Sequence, residues 1–319
     1  YPESAMSSPL ELVRRRTFQE SEEMAVHLKG FDVDLMQLEA GPFSGQHVVA
    51  SSGPVLIQGG RTGPVLLQRG TSPPWPTFCF RADRGRGLTV NGRDTGANAV
   101  SILHPGREFT IRSETGFPIA TISVEEAHLR CIAREIGLEG ALESVLRGQR
   151  VVATDAAMQR LRHEWHRVLA GTDNVASGWN GAFETGLVRA LSCALATAGG
   201  SPERDAVRSL DRVVKGVESA LDERPRQAYS VRDLATTVGV SERTLRRAVQ
   251  AWYRATTVAV VRTRRLHGAR RELLAARPRR SSVTSIAMSW GFDHLGRFAG
   301  DYRALCGELP SESLERVKH

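Results

Sequence analysis

Arginine side chains recur at helical spacing near the C-terminus, directly after a serine that suits a helix start. Ser241 is followed by Arg243, Thr244, Arg246 and Arg247. A serine hydroxyl at such a position accepts a hydrogen bond from an early backbone N–H group and so begins the helix. Guanidinium groups hold phosphate oxygens and can pair with a guanine edge through two hydrogen bonds. The pattern therefore predicts a helix that presents cations to a nucleic acid.

Residue types that carry catalysis or metal binding are scattered. His27, His47 and His104 stand singly, and His-x-His occurs nowhere. His163 and His166 share a helix face but have no further ligands nearby in the sequence. The four cysteines form no Cys-x-x-Cys pair, and no nucleophile elbow, phosphate-binding loop or dinucleotide fingerprint is present. We therefore predict no catalytic residue, no metal site and no cofactor.

The positive charge of the chain is concentrated in its last third. The 319 residues carry a formal net charge of +8. Residues 221–319 hold 19 lysines and arginines against 10 acidic residues, whereas residues 1–220 hold 24 against 25. A localised excess of arginine is the electrostatic footprint of a phosphate-binding surface, although charge alone would fit a solvated basic face equally well.

The elements that position these arginines follow from a pattern that occurs twice. Each copy has an apolar residue followed by alanine, then an apolar-Gly-apolar triplet, then an apolar anchor. The alanine permits a close helix crossing, the glycine takes a left-handed turn, and the anchor fixes the second helix. Two copies on a basic background predict two helix-turn-helix units. The copies are Leu234-Ala235, Val238-Gly239-Val240 and Leu245, and then Ile286-Ala287, Trp290-Gly291-Phe292 and Phe298.

These segments resemble one family of DNA-binding domains. Residues 205–317, about a third of the chain, are similar to the DNA-binding domain of the AraC/XylS family of bacterial transcription regulators. The N-terminal part resembles, more loosely, the cupin-like sensor modules of that family. The segments that carry the resemblance are Ser230–Ala235, Gly239–Arg247, Arg265–Leu274, Val283–Phe292, Asp293–Phe298 and Gly307–Ser311.

The resemblance implies which side chains face the bases. It places base-facing residues on the second helix of each unit, and it implies promoter DNA and RNA polymerase as partners. It also favours activation of transcription over repression. The candidate DNA-binding residues are Ser241, Arg243, Thr244, Arg246, Arg247, His294, Leu295 and Arg297.

A helical stretch between the two units predicts how far apart they lie. Val258–Ala275 would span about 27 Å at about 1.5 Å per residue. A rigid spacer of this size could bring two reading helices to successive major-groove segments, about 34 Å apart, on one face of the DNA. One chain would then contact two half-sites.

Several residues depart from the family pattern. Val249 and Val260 replace aromatic residues, Thr257 replaces proline, and Cys306 replaces phenylalanine. Smaller core residues predict looser packing, about 1–3 kcal/mol each where cavities remain. Arg254 stands where glycine is usual, which raises the question whether that turn still needs a positive φ.

The fold class that the whole chain predicts is α+β with several domains. Residues 1–124 have short apolar stretches between turn residues, which predicts a β-rich, cupin-like barrel or sandwich. Within it, Asn91-Gly92 is the strongest hairpin signal and Ser21–Leu28 predicts a helix. Residues 125–221 have helical periodicity and could serve the sensor or a dimer interface. Residues 222–319 form the all-α DNA-binding domain.

Five residues of the β-rich module are candidate effector contacts. Aromatic side chains and a histidine on predicted strands fit a lined cavity, although aromatic residues on strands are ordinary core more often than ligand contacts. The five are Trp75, Phe78, Phe80, His104 and Phe109.

Together these features predict a sequence-specific transcription regulator whose β-rich module senses a small molecule or a partner protein. One alternative is a cupin-type metalloenzyme with a vestigial DNA-binding tail, which would contain stoichiometric metal. Another is an architectural nucleic-acid binder with little preference for one sequence. No apolar run approaches the ~18 residues of a membrane helix and no secretory signal is visible, so we expect a cytoplasmic protein. A homodimer remains open.

Overall fold

The computed structural model describes residues 14–85, 87–116, 118–171, 181–197, 199–200, 205–276 and 281–316. Parts of the predicted modules, such as residues 1–13 and 172–180, lie outside these ranges. The first part of the described chain is mostly strands. They are β1 (Arg14–Phe18), β2 (Asp32–Gln37), β3 (Gly45–Ser52), β4 (Val55–Thr62), β5 (Leu66–Thr71), β6 (Thr77–Arg81), β7 (Leu88–Val90), β8 (Arg93–Asp94), β9 (Ala99–Leu103), β10 (Glu108–Ser113), β11 (Ile119–Val124), β12 (Arg150–Val152) and β13 (Gly199–Gly200).

Helices dominate the rest of the described chain. One helix, α1 (Ser21–His27), lies among the strands, where the sequence predicts it. The others are α2 (Glu126–Glu135), α3 (Glu139–Leu146), α4 (Asp155–Gly171), α5 (Gly181–Ala196), α6 (Asp205–Glu223), α7 (Val231–Val238), α8 (Glu242–Tyr253), α9 (Thr257–Ala275), α10 (Val283–Ser289), α11 (Leu295–Cys306) and α12 (Pro310–Arg316).

The strands form two antiparallel sheets. The large sheet has the order β1-β3-β4-β11-β6-β9-β12-β13, and the small sheet has the order β2-β5-β10-β7-β8. The predicted hairpin at Asn91-Gly92 joins β7 to β8, with Val90 opposite Arg93. The prediction of a β-rich first module is therefore confirmed, in the form of two facing sheets.

The large sheet is buried on both faces, which the alternation of its side chains explains. On β6, Phe78 and Phe80 pack with the helices, whereas Cys79 packs with Leu88 and Phe109 of the small sheet. Successive residues of a strand point to opposite faces, so an unbroken apolar run suits a sheet that is covered on both sides. The small sheet therefore covers one face of the large sheet, and helices cover the other.

The helical stretch that follows the strands divides between two cores. Helices α2 to α5 pack on the large sheet, where Trp165 of α4 meets Phe80 edge to face at 5.8 Å. Helix α6 instead joins α7 and α8, through buried residues such as Val217 and Leu245. A third core holds α9 to α11 together, around Phe298 and Tyr302.

The C-terminal part of the described chain is all helical, as predicted, which confirms the α+β class. No helix among the residues described here is both long and apolar enough to cross a membrane.

Candidate nucleic-acid interface

The first helix-turn-helix unit is α7, a tight turn and α8. Helix α7 begins with a capping box, in which the Ser230 hydroxyl accepts from the Asp233 N–H at 3.1 Å. It ends at Gly239, whose φ of +74° lies in the left-handed region, which glycine adopts without strain. Leu245 of α8 is fully buried against α7. The residues that the repeat pattern singled out therefore make the turn and the crossing.

The second unit repeats this arrangement with α10 and α11. Helix α10 also begins with a capping box, between Ser282 and Ser285. The turn runs through Gly291, and Phe298 of α11 is 1% exposed in the core. The prediction of two units is confirmed by this geometry.

The predicted arginines of α8 lie on its free face. Arg243, Arg246 and Arg247 are exposed, whereas Leu245 and Ala248 of the same helix are buried. Arg246 donates to Glu242 one turn earlier, at 2.8 Å. Exposed ion pairs of this kind contribute about 0–1 kcal/mol, so Arg246 can exchange its partner for a phosphate or a base at little cost.

Ser241 and Thr244 begin the same helix. The Ser241 hydroxyl accepts from the Thr244 N–H at 3.2 Å and lies 2.9 Å from the Thr244 hydroxyl. Both hydroxyl groups are thus engaged in the helix cap. Ser241 and Thr244 therefore hold the N-terminal end of α8, where backbone N–H groups favour an anion.

His294, Leu295 and Arg297 lie together at the start of α11 and are all exposed. His294 is the N-cap residue but makes no capping hydrogen bond with its side chain. Leu295 is one of the few large apolar side chains exposed on the described part of the chain, at 37% exposure. An exposed leucine beside a histidine and an arginine suits a major groove, which presents thymine methyl groups as well as hydrogen-bonding edges.

Helix α9 connects the two units rigidly. Its 19 residues start one residue earlier than the predicted spacer and span about 28 Å. Val260 and Val261 pack in the core of the first unit. At the other unit, the Arg265 guanidinium donates to the Trp290 carbonyl at 2.7 Å and lies over the Phe292 ring at 4.4 Å. Both units therefore share α9 as a wall.

Arg265 is a structural residue that the sequence did not separate from the arginines predicted to face DNA. It is 9% exposed, and burial lowers its pKa. It also donates to the Gly291 carbonyl, so one side chain satisfies two carbonyl groups of the turn in the second unit. The available signal was helical spacing, because Arg265 lies four residues from both Val261 and Ala269, which are buried on the same helix face.

The turn at Arg254 still has a positive φ, although arginine stands there in place of glycine. It is the C-cap of α8 and has a φ of +52°, so the turn keeps the left-handed conformation. Val249 and Val260, which replace aromatic residues, are buried in the first-unit core. Thr257 is 4% exposed, and Cys306 is half-buried beside the second-unit core.

The five candidate effector residues do not converge on one cavity. Phe78 and Phe80 face the helices and belong to the core of the large sheet. Trp75 is half-buried next to that strand. Only His104 and Phe109 line a common space, a groove of about 1000 Å³ between the sheets and α6. The alternation of β6 is the reason, since it turns both phenylalanines away from the small sheet.

The groove is polar and has walls from both parts of the chain. Arg69 and Thr110 line it from the small sheet, and Glu218, Asp222 and Trp252 line it from the helices. Arg69 donates to Asp222 at 2.7 and 2.9 Å. Burial acts to raise the pKa of Asp222, but the hydrogen bond from Arg69 and the charge of Arg264 outweigh it and hold that pKa below its usual value.

A second, smaller cavity of about 30 Å³ lies between the two sheets. His47 and Ser113 line it and are almost fully buried. The Nε2 atom of His47 and the hydroxyl of Ser113 have no hydrogen-bond partner among the described residues. A cavity of this size holds one or two water molecules, which would satisfy both groups.

Metal binding is not indicated by the side-chain geometry. No cluster of three or more His, Cys, Asp or Glu side chains suited to a metal ion occurs in the described part of the chain. The His104 Nε2 atom is already engaged, since it donates a hydrogen bond to the Gly148 carbonyl at 2.9 Å.

Comparison with known proteins finds relatives of the helical last third of the chain. A family model described as "Helix-turn-helix domain" matches residues 234–316. The "Probable thc operon regulatory protein" of Rhodococcus erythropolis is 38% identical over 109 residues, 34% of this chain and 33% of that protein. The "XylDLEGF operon transcriptional activator 3" of Pseudomonas putida is 36% identical over 110 residues, 34% of this chain and 32% of that protein.

A solved structure is similar to the same region. It is described as a probable AraC family transcriptional regulator from Rhodopseudomonas palustris, is 33% identical, and is matched over 96% of its length and 33% of this chain with a TM-score of 0.30. The matched segment spans only about a third of the length of the two curated relatives. These three matches therefore concern the helix-turn-helix region.

Proposed function

Because the last third of this chain is a helix-turn-helix domain of the AraC/XylS type, we propose that the protein is a sequence-specific regulator of transcription. In this proposal α8 and α11 read two half-sites of a promoter. The observation that carries it is the exposure of Arg243, Arg246 and Arg297 on the second helices of two units that share one rigid helix. This arrangement suits successive major-groove segments on one face of DNA.

We further propose that the regulator is an activator that responds to a small molecule. Two of the relatives matched over the helix-turn-helix region are named as an operon regulatory protein and a transcriptional activator. RNA polymerase is the partner that activation requires. The groove of about 1000 Å³ that His104 and Phe109 line is the effector site in this proposal, because its walls come from the sheets and from the DNA-binding helices.

Selection of bound DNA tests the proposed regulator. The purified protein is mixed with fragments of its own genome, and the bound fraction is sequenced. We expect enrichment of a site with two half-sites whose centres lie about one helical turn apart. A triple variant with Arg243, Arg246 and Arg297 replaced by alanine is the control and should enrich no site. Equal recovery of all fragments by the wild-type protein would contradict sequence-specific regulation.

The effector site is tested by ligand screening. A compound library is screened for molecules that raise the melting temperature of the wild-type protein. A hit that binds the groove should lose its effect in Phe109→Ala and keep it in Phe78→Ala, because only Phe109 lines the groove. Loss of the effect in both variants to the same extent would place the ligand elsewhere.

A further inference from the structure

Helix α8, the first of the two proposed reading helices, is docked on the β-rich module at its C-terminal end. Trp252 of α8 is 5% exposed, and its indole N–H donates to the Thr110 hydroxyl of β10 at 3.0 Å. The ring lies directly on Gly92, where an added methyl group would overlap it. This contact therefore requires both a flat aromatic ring and a residue without a side chain.

The hairpin beneath Trp252 is held by hydrogen bonds to Thr110. Asn91 and Gly92 have φ values of +48° and +70°, as two-residue hairpin turns require. The Asn91 N–H donates to the Thr110 carbonyl at 2.8 Å, and the Thr110 N–H donates to the Asn91 side chain at 2.9 Å. Thr110 thus holds the hairpin with its backbone and receives Trp252 with its side chain.

Arg254, two residues further on, extends the same contact. Its left-handed conformation would suit glycine, so an arginine carries strain of about 1 kcal/mol. Its guanidinium group lies 3.6 Å from a carboxylate oxygen of Asp94 and 3.8 Å from one of Glu114. Both carboxylates belong to the β-rich module, and the reach to them explains why an arginine is tolerated at this position.

The second reading helix is held in the same way at its C-terminal end. The Gln37 side chain donates to the Leu305 carbonyl at 2.9 Å, and the Gly41 N–H donates to the Ala304 carbonyl at 2.6 Å. These carbonyls are among the last of α11, which have no partner inside the helix. The β-rich module therefore contacts the C-terminal ends of both α8 and α11, while the predicted reading residues remain exposed.

We propose that the β-rich module is a brace that acts together with α9 to fix the orientation of the two reading helices, with Trp252, Arg254 and Gln37 as its positioning residues. The proposal rests on the proposed function, since it concerns how two half-sites are read together. A fixed arrangement raises the effective concentration of the second unit once the first has bound. It also removes the entropy cost of ordering the two units on the DNA.

The variant Gly92→Ala tests the brace, with Gly116→Ala as the matched control. Both glycines have a left-handed φ, +70° and +67°, but Gly116 has open space where the methyl group would go. Affinity is measured for the selected two-half-site duplex and for duplexes with either half-site scrambled. We expect Gly92→Ala to bind the full site roughly five- to tenfold more weakly than the control, with equal binding of single half-sites.

Two other results would overturn the brace. Equal affinity of Gly92→Ala and Gly116→Ala for the full site would show that docking does not position the helices. Tighter binding by Gly92→Ala would show that docking holds the first unit back from DNA.

Arg254→Gly separates positioning from stability. Glycine removes the backbone strain, so the melting temperature should be unchanged or higher, while affinity for the full site falls. Arg254→Lys, which keeps a cation, should restore part of that affinity. Full-site affinity in Arg254→Gly equal to that of the wild-type protein would contradict a positioning role for this residue.

A measurement without DNA distinguishes failure of the brace from failure of the proposed function. Spin labels are placed at Gln250→Cys and Gly300→Cys, both exposed on the reading helices, with Cys131, Cys193 and Cys306 replaced by serine. Fully buried Cys79 can stay, because burial raises its thiol pKa to about 12. The distance distribution should broaden in Gly92→Ala and not in Gly116→Ala. Selection of no DNA by the wild-type protein would contradict the proposed function. Unchanged distances between the labels in Gly92→Ala would contradict the brace.

Discussion

Arginine has two opposite uses in the last third of this chain, and the direction of each guanidinium group separates them. Arg243, Arg246 and Arg247 extend from α8 into solvent. Arg265 and Arg270 of α9 are almost fully buried, Arg265 on the turn of the second unit and Arg270 beside Glu20 and Glu308. A net positive charge therefore overstates the number of cations that are free for DNA.

Replacement of Arg246 by alanine tests direct base reading. Loss of a bidentate contact with guanine should lower affinity for the selected site by about 1–3 kcal/mol and relax the base preference at one position. Gel-shift titration on the selected site and on random DNA measures both effects, with Arg189→Ala on α5 as the exposed-arginine control. An equal loss on random DNA would make Arg246 a phosphate contact instead.

His47 gives the stability of the β-rich module a pH dependence. Burial, and next the charge of His27, lower its pKa from the ordinary 6.5 to about 4. Below pH 6.5 the unfolded chain binds a proton that the folded chain excludes, so stability is lost as pH falls from 6.5 to 4. The loss from this group is about 3 kcal/mol over that interval.

Urea unfolding at pH 7 and pH 4.5 measures the His47 contribution. We expect His47→Leu to lose less stability than the wild-type protein between these two pH values. His163→Gln, which changes an exposed histidine, is the control and should follow the wild-type protein. A His47→Leu variant with the same pH dependence as the wild-type protein would contradict the assignment.

Among the helices, α9 is the element on which the geometry of the candidate interface depends. It shares a core with each unit, and Gly268 lets it approach Trp290 so closely that a methyl group there would overlap the ring. Helix α6 belongs to the first unit by its packing, whereas α5 belongs to the large sheet. We therefore propose that the boundary between the β-rich module with its covering helices and the helix-turn-helix part lies between α5 and α6.

Two glycine-to-alanine changes in helices should have opposite effects on stability. Alanine normally stabilises a helix by about 1 kcal/mol relative to glycine. Gly300→Ala on α11 has open space and should follow that rule. Gly268→Ala should instead destabilise the protein by about 1–3 kcal/mol, because the Trp290 ring must move. Thermal unfolding measures both, and stabilisation by Gly268→Ala would show that the contact is loose.

For the molecule as a whole, the β-rich module and the helices form one continuous arrangement. Met36 and Leu67 of the small sheet belong to the same core as the first helix-turn-helix unit. Arg69 of the small sheet and Arg264 of α9, both largely buried, bind Glu218 and Asp222 of α6. This ion-pair network beside the groove therefore joins both parts of the chain.

Salt dependence separates a regulator from an architectural DNA binder. Phosphate contacts by the basic C-terminal region should make affinity for any DNA fall steeply as salt rises. A regulator should still prefer its selected site over random DNA by roughly 10³-fold or more near physiological salt. Fluorescence anisotropy at several salt concentrations gives both values. A ratio near one at every concentration would favour the architectural binder.

Local patterns were sufficient for the helix-turn-helix units. Ala235, Gly239 and Leu245 each act through neighbours within a few residues, so their spacing predicts the turn and the helix crossing directly. The hairpin at Asn91-Gly92 was predictable for the same reason, since its backbone conformation depends on these two residues.

Contacts between distant segments were beyond the reach of such patterns. Nothing near Trp252 in the sequence indicates that it packs on Gly92, and nothing near Phe78 and Phe80 shows which face of the sheet the helices cover. The side of a strand that is covered, and the partner of a buried guanidinium group, depend on segments that fold back from far along the chain. Hence the two helix-turn-helix units were predictable from local spacing and the reading residues from the family resemblance, whereas the brace and the groove emerged only from the packing of the sheets against the helices.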